Sequence, residues 1–340
     1  MIHQAIFYML ITGVLWTLVG IIYGKAPDKQ GDLYSFLALN GFCYTLFIWS
    51  VHFPQKAPPP EVLHLALYMI PATVIEMTGF LLLKYAMARG SQGIAWSIAQ
   101  SSMVIPFLGA ILFLGNHASA VKYTGAAVLL SGLILVGLEK KGKEQPKSGQ
   151  KGFLLYAFSA FLLVGIAQFM RIIPGNAGFS EAALSWRLPV SAPCGMIVWG
   201  YLAIARHGFV PGKVWKLAVP YAIVTALGQI FFFLAVDASD PLGITAIVYP
   251  VAVGSSIFLF SSYCVWWRRE ELPMVGRAGI ILIVLGIVLL SLGCPELRTE
   301  HETSLCSANQ IKSDQNESNF HDNVFSLPVR TTESNDLQFR

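Results

Sequence analysis

The chain has 340 residues, of which 55% are hydrophobic and 12% charged, with a formal net charge of +4 and a mean hydropathy of +0.60. A soluble domain carries about a quarter charged residues, so this composition excludes one as the bulk of the chain. The charge is also divided: residues 1–294 hold 19 Lys and Arg against 11 Asp and Glu, whereas 295–340 hold 4 against 8.

Apolar runs of about 20 residues, enough to cross a ~30 Å hydrocarbon core, recur ten times. They lie near 4–24, 32–53, 62–88, 91–114, 120–138, 152–173, 182–204, 214–236, 241–265 and 275–293. Helices are expected for all of them, because a helix satisfies its backbone hydrogen bonds internally where water is absent. A β-barrel would need alternating segments of about ten residues, and these runs are continuous. The expected class is therefore an all-α integral membrane protein with ten transmembrane helices.

The first run lacks a basic flank and is followed by Lys25 and Asp28, so it reads as a retained span rather than a signal peptide. It carries Trp16 and Thr17; the second carries Asn40. The prolines of PQKAPPPEV at 54–62 favour a stiff, extended link to the third run. Glu76 sits midway along that run and is the one acidic residue so placed. A carboxylate at that depth costs at least ~2.5 kcal/mol on insertion scales. It either faces a polar cavity, where it could load and release a proton, or is held neutral by a hydroxyl such as Thr73 or Thr78.

The fourth run contains the polar cluster AWSIAQSS, with Trp96, Gln100, Ser101 and Ser102. It has a counterpart in AIVYPVAVGSS of the ninth, with Tyr249, Pro250, Ser255 and Ser256. Such residues either glue helices together or line a cavity. Arg171 ends the sixth run and reads as an interface anchor. Arg187, about six residues inside the seventh, is the expected counter-ion of Glu76, a grip for a carboxylate or phosphate, or a snorkelling side chain. Gln229 is a further polar group in the eighth. The five cysteines lack CxxC spacing and read as small buried residues.

The runs fall into two copies. In the third, Pro71, Gly79 and Ala86 are spaced by eight and seven; Pro220, Gly228 and Ala235 repeat that spacing 149 residues later. Asn116, Gly125 and Gly132 correspond to Glu270, Gly279 and Gly286, 154 residues on. The domains expected are a first five-helix repeat at 1–138, a basic linker at 139–151, a second repeat at 152–294 and a polar, disordered tail at 295–340. An odd number of spans per copy makes the repeats inverted. Pro71, Pro220 and Pro250 are candidate helix breaks or hinges. Lys and Arg cluster after spans 1, 3, 5, 7 and 9, fifteen in all, which predicts a cytoplasmic linker and both termini outside.

The stretch SSMVIPFLGAILFLGNHASAVKYTGAAVLLSGLILVG, with its counterpart from GITAIVYP through REELPMVGRAGIILIVLGIVLL, resembles the ten-helix EamA-type members of the drug/metabolite transporter superfamily. Those proteins often carry a Gly-Glu hinge nine residues before the next helix's first glycine. Here Glu270 precedes Gly279 by nine, Arg269 stands where the glycine would be, and Asn116 replaces the acid in the first copy. The resemblance implies two inverted repeats around a central cavity and carriage of a small polar metabolite.

The expected function is accordingly a secondary active transporter, a permease of the cell membrane working by alternating access, with Glu76 as the candidate site of proton coupling. The candidate pocket residues are Glu76, Arg187, Gln100, Ser101, Tyr249, Gln229, Asn40 and Trp16. A proton-independent facilitator or exchanger, a membrane-embedded enzyme on a lipid-linked substrate and a sensor acting through the tail are the alternatives. Neither GxxxxGK[ST] nor HExxH occurs, so no enzyme activity, cofactor or metal is expected. The partners expected are a small-molecule substrate, the proton and the bilayer, with a homodimer left open and no nucleic acid.

Overall fold

The computed structural model describes residues 2–51, 54, 57–113, 119–138, 152–239, 248–270 and 274–292. Asn116, the linker 139–151 and the tail 295–340 lie outside them. Among the described residues all regular structure is helical: α1 (Ile2–Gly24), α2 (Gln30–Val51), α3 (Glu61–Met87), α4 (Gln92–Gln100), α5 (Val104–Phe113), α6 (Ala120–Leu138), α7 (Phe153–Asn176), α8 (Glu181–Leu184), α9 (Arg187–Leu202), α10 (Pro211–Ser239), α11 (Val248–Trp266) and α12 (Met274–Leu292).

Eight helical stretches are long and apolar enough to cross a membrane, taking α4 with α5 and α8 with α9 as single stretches. Two more apolar segments, Ala120–Val136 and Met274–Leu290, are shorter. The architecture is compatible with a multi-pass membrane protein. Its outer surface agrees: Leu63, Tyr201, Trp266, Trp267 and Met274 are each at least 70% exposed, a pattern suited to lipid and costly in water. The interior is apolar as well, with Tyr23, Phe36, Trp96 and Phe260 fully buried. Helices apolar on every side belong in a bilayer.

Two of the expected spans are interrupted. The fourth is broken by a 3-10 turn at Ser101–Met103, where Pro106 has no N–H to offer the carbonyl of Ser102. The seventh begins as the four-residue α8, turns at Ser185 and Trp186, and ends in a π turn at Ala203–His207. Pro71 and Pro220, expected as hinges, instead lie inside the uninterrupted α3 and α10. Each deletes one bond, to the carbonyl four residues earlier, and long apolar helices absorb that loss. Pro250 lies near the start of the described part of α11, and the residues just before Val248, which would show whether it breaks the span, lie outside the described residues.

The most extensive contacts join α6 to α12, α3 to α7, α1 to α10 and α2 to α9, each linking an early helix to a late one. The α6–α12 crossing is set by glycine. A Cβ at Gly132 would stand 2.7 Å from the Gly279 carbonyl oxygen, and one at Gly279 would stand 2.9 Å from that of Gly132. Gly125 and Gly286 repeat the arrangement, with 2.9 and 2.7 Å to each other's carbonyl oxygens. The four glycines singled out by the sequence repeat therefore meet as two reciprocal pairs. Only residues without a side chain allow backbones to approach so closely.

One end of the bundle is tied by a polar network. The Gly24 carbonyl closing α1 accepts from Lys84 Nζ at 3.3 Å and from Gln92 Nε2 at 3.2 Å. Lys84, 2% exposed, also pairs with Asp28 at 3.0 Å. Arg268 Nη1 donates to Gln92 Oε1 at 2.9 Å and its Nε pairs with Glu270 at 3.2 Å. The Ser91 hydroxyl, which caps α4, donates to Glu270 Oε2 at 2.8 Å. Between them Arg269 adopts φ 52°, the left-handed conformation that favours glycine. This is the residue standing where the resembled family has glycine. We call this the basic end. At the opposite end Glu61 accepts from the backbone N–H and hydroxyl of Ser180 at 3.1 and 2.7 Å, joining α3 to α8.

The crossing predicts that Gly132→Val lowers the thermal midpoint in detergent, with a loss of about 1–3 kcal/mol from overpacking. Gly200→Val, at a position where an added Cβ meets nothing within 4 Å, should leave the midpoint within a degree or two of wild type.

Candidate functional site

A cavity of about 690 Å³ lies among the helices, lined mainly by residues of α1–α5, α7, α9, α10 and α11, with Lys122 of α6 and Leu290 of α12 at its margin. That is within the range of small-molecule pockets. Of the residues singled out in the sequence, Trp16, Asn40, Glu76, Gln100, Arg187, Gln229, Tyr249 and Pro250 all line it. Ser101 does not. Its hydroxyl is fully buried and donates to the Ser97 carbonyl at 2.6 Å, because the 3-10 turn points it back along its own helix.

Glu76 meets Arg171. Arg171 Nη1 and Nη2 donate to the two carboxylate oxygens at 2.8 and 2.6 Å, and Nη2 also reaches Thr73 Oγ1 at 3.3 Å. A fork of this kind is the strongest side-chain pairing available to a carboxylate. The side chains keep 21% and 29% of their surface accessible, so the pair is desolvated on the α3 and α7 sides and faces the cavity on the other. The expected counter-ion, Arg187, is not the partner, and Arg171 is not an interface anchor. Five residues from the end of α7, Arg171 is near enough to turn its long side chain inward to the acid. Arg187, at the first position of α9, instead lays Nη2 against the backbone of Gly175, 3.0 Å from where a Cβ would stand. Its Nε is buried with no hydrogen-bond partner, as are Asn40 Oδ1 and Gln168 Oε1.

The apolar wall is aromatic. Trp16 stacks on Phe232 at 5.6 Å between centroids, and Tyr249 packs edgewise on both, at 5.8 and 5.5 Å. Towards the basic end the cavity stops at a second ring cluster. Tyr23 stacks on Tyr221 at 5.6 Å, Phe80 meets Tyr23 at 6.1 Å and Phe36 meets Tyr221 at 5.3 Å. The Tyr23 hydroxyl donates to the Phe80 carbonyl at 2.7 Å. Tyr23, Phe36 and Tyr221 are at most 6% exposed, so this layer seals the cavity, with the polar network behind it. The serines of the two polar clusters mostly serve packing: Trp96 Nε1 donates to Ser256 Oγ at 3.3 Å, and the Ser97 and Ser261 hydroxyls lie 3.4 Å apart.

No family model matches the chain. No curated protein matches it either. A solved structure described as "Crystal structure of protein" is similar in fold, with a TM-score of 0.53 and 14% identity over 85% of this chain and 97% of that one.

Among the described residues no group of three or more His, Cys, Asp and Glu is placed to hold a metal ion. Sequence reasoning missed Arg171 as a partner because depth along the chain ranked it as terminal; its signal was a lone cation inside an apolar run, in a chain with one acid midway along another run. It also missed Tyr44, Gln168 and Tyr221, which line the cavity but look like ordinary span residues by composition.

Breaking a buried pair strands the remaining charge, at ~3–5 kcal/mol when burial is complete. Here part of each side chain keeps cavity exposure, so a smaller loss is expected. Glu76→Ala and Arg171→Ala should each depress the thermal midpoint, and Glu76→Met combined with Arg171→Leu should recover most of it. A double-mutant cycle by thermal denaturation measures the coupling.

Proposed function

We propose that the chain is a secondary active transporter of a small polar metabolite, of the drug/metabolite transporter type that its sequence resembles. The observation that carries this reading is one small-molecule-sized cavity shared by helices of both sequence halves, holding the Glu76–Arg171 pair and closed at one end. A channel would need a continuous path, and a soluble enzyme site would need an extramembrane domain. A cavity sealed on one side is what alternating access requires in each of its end states.

On this reading α6 and α12 complete a set of ten spans in two inverted five-helix repeats. Two supports come from the packing. Reciprocal contacts of the kind made by Gly132 with Gly279 and Gly125 with Gly286 are what two-fold-related units make with each other. The pairing of α3 with α7 is matched by that of α10 with α1, as exchange of the copies demands. The excess of Lys and Arg at the basic end supports a reading in which that end faces the cytoplasm and the termini lie outside a cytoplasmic membrane. The cavity then belongs to a state closed towards the cytoplasm.

Proton coupling through Glu76 belongs to the same proposal. In this conformation both carboxylate oxygens are taken by Arg171, so proton uptake falls in a state where the pair is parted. A proton-independent facilitator is the second reading, favoured by that same two-point pairing if it persists through the cycle.

Access can be measured without knowing the substrate. In a variant whose native cysteines are replaced, Thr225→Cys should react with a membrane-impermeant maleimide from either face of oriented vesicles. Cross-linking Ser91→Cys to Glu270→Cys with a reducible reagent should confine labelling to the outer face until reductant is added. Labelling from one face only, with or without the cross-link, would sink the carrier.

Once a transported solute is in hand, Glu76→Gln should abolish the response of uptake to an imposed pH gradient. A retained response would leave the carrier standing and remove Glu76 from coupling.

A further inference from the structure

The cavity carries unbalanced charge. Its described lining holds three cations, Lys122, Arg171 and Arg187, against the single acid Glu76. Arg171 is satisfied by Glu76 at two points. Arg187 has no acid partner among the described residues, and its Nε lies buried and unbonded. Arg187 is part-buried, and the portion of its guanidinium turned away from water has no counter-charge among the described residues to offset its desolvation. A cation so placed in a cleft is a natural contact for an anionic group from outside the chain.

The rest of the lining says what that charge is attached to. Eleven of the 36 lining residues are aromatic, against 12% of the chain. The Trp16, Phe232 and Tyr249 rings form one continuous wall. Ring faces and edges of this kind take up flat, apolar groups. The unpartnered amide oxygens of Asn40 and Gln168 add polar acceptors of a kind that fixes orientation.

We infer that the cavity binds an organic anion, a carboxylate or phosphate monoester, whose charged group is held by Arg187 and whose planar, apolar body lies on the Trp16–Phe232–Tyr249 wall. The inference rests on the transporter reading for its biological sense but not for its chemistry. Guanidinium meets either oxyanion through two parallel N–H donors, and the surplus of positive charge draws anions into the cavity before contact. Neutral and cationic solutes of the same shape gain the wall without the charge. In this conformation the Glu76–Arg171 pair lines the same cavity as an internally neutral element.

Binding to the purified, full-length protein in detergent tests this with matched probes: 3-phenylpropanoate, phenyl phosphate, 3-phenylpropanamide, 3-phenylpropylamine and acetate, by calorimetry at pH 7. At least one aromatic anion should bind tenfold or more tighter than the amide, the amine and acetate. Arg187→Gln should erase that preference, and Arg187→Lys should keep part of it, which separates charge recognition from a folding defect. Should the Gln variant not fold, the Lys variant is expected to lose affinity for the anion about threefold and not for the amide.

Equal binding of amide or amine, an anion preference that survives Arg187→Gln, or no binding of any probe at millimolar concentration would overturn the assignment. The outcome is separable from the transport question. Anion binding with one-sided maleimide labelling keeps this site and removes the carrier, while two-sided labelling with a preference for the amine does the reverse.

Discussion

A carboxylate halfway along a 27-residue apolar helix cannot stand alone in hydrocarbon, and the way Glu76 is compensated orders much of what surrounds it. Its partner comes from α7, so α3 and α7 must lie side by side with Arg171 turned inward. The pair then needs an accessible side, because two ions fully stripped of water recover only part of their desolvation from each other. The cavity provides that side. Helix pairing, the position of the pocket and the presence of polar groups at mid-depth are in this sense one requirement met in three places.

The α6–α12 crossing meets a different requirement. Without water to drive helices together, their association depends on close backbone approach and good van der Waals packing. Gly125 and Gly132 on one side, Gly279 and Gly286 on the other, supply it. These glycines meet backbone to backbone, and the two helices border the pocket only at Lys122 and Leu290. The molecule thus separates its duties: the reciprocal α6–α12 contact is built from the smallest residues, and the polar side chains gather around the cavity.

This arrangement was partly legible in the sequence. The apolar runs coincide with the described helices to within a few residues, except that the start of the ninth, 241–247, lies outside the described residues, because a long apolar run is a strong one-dimensional signal. Aligning the copies paired Glu76 with Thr225 and Phe80 with Gln229, and all four line the cavity. Ion pairing was not legible. Arg171 and Arg187 are both single cations near the ends of apolar runs, and which one reaches Glu76 depends on how α7 and α9 pack against α3, a matter of tertiary contacts with no local signature. Prolines misled for a related reason. Pro71 and Pro220 sit within helices long enough to tolerate a missing bond, whereas the actual break at Ser101–Met103 arises from Pro106 acting on the carbonyl of Ser102. The four-residue α8 and the π turn after α9 were likewise hidden inside one continuous apolar run.

Lys84 has a bearing on how the basic end can come apart. Its ammonium is 2% exposed and is held by the last carbonyl of α1 and by Asp28, at the helix terminus where the backbone dipole is negative. Pulling α1 away from α3 would strand that charge in the interior. By contrast, the links from Ser91, Gly93 and Gln92 end on Glu270 and Arg268, whose side chains keep 16% and 35% of their surface accessible, so water can take over at those two ends although Gln92 itself is buried. The two sets of contacts lie side by side but differ in how readily they yield. Parting α4 from the end of α11 would therefore strand less charge than parting α1 from α3.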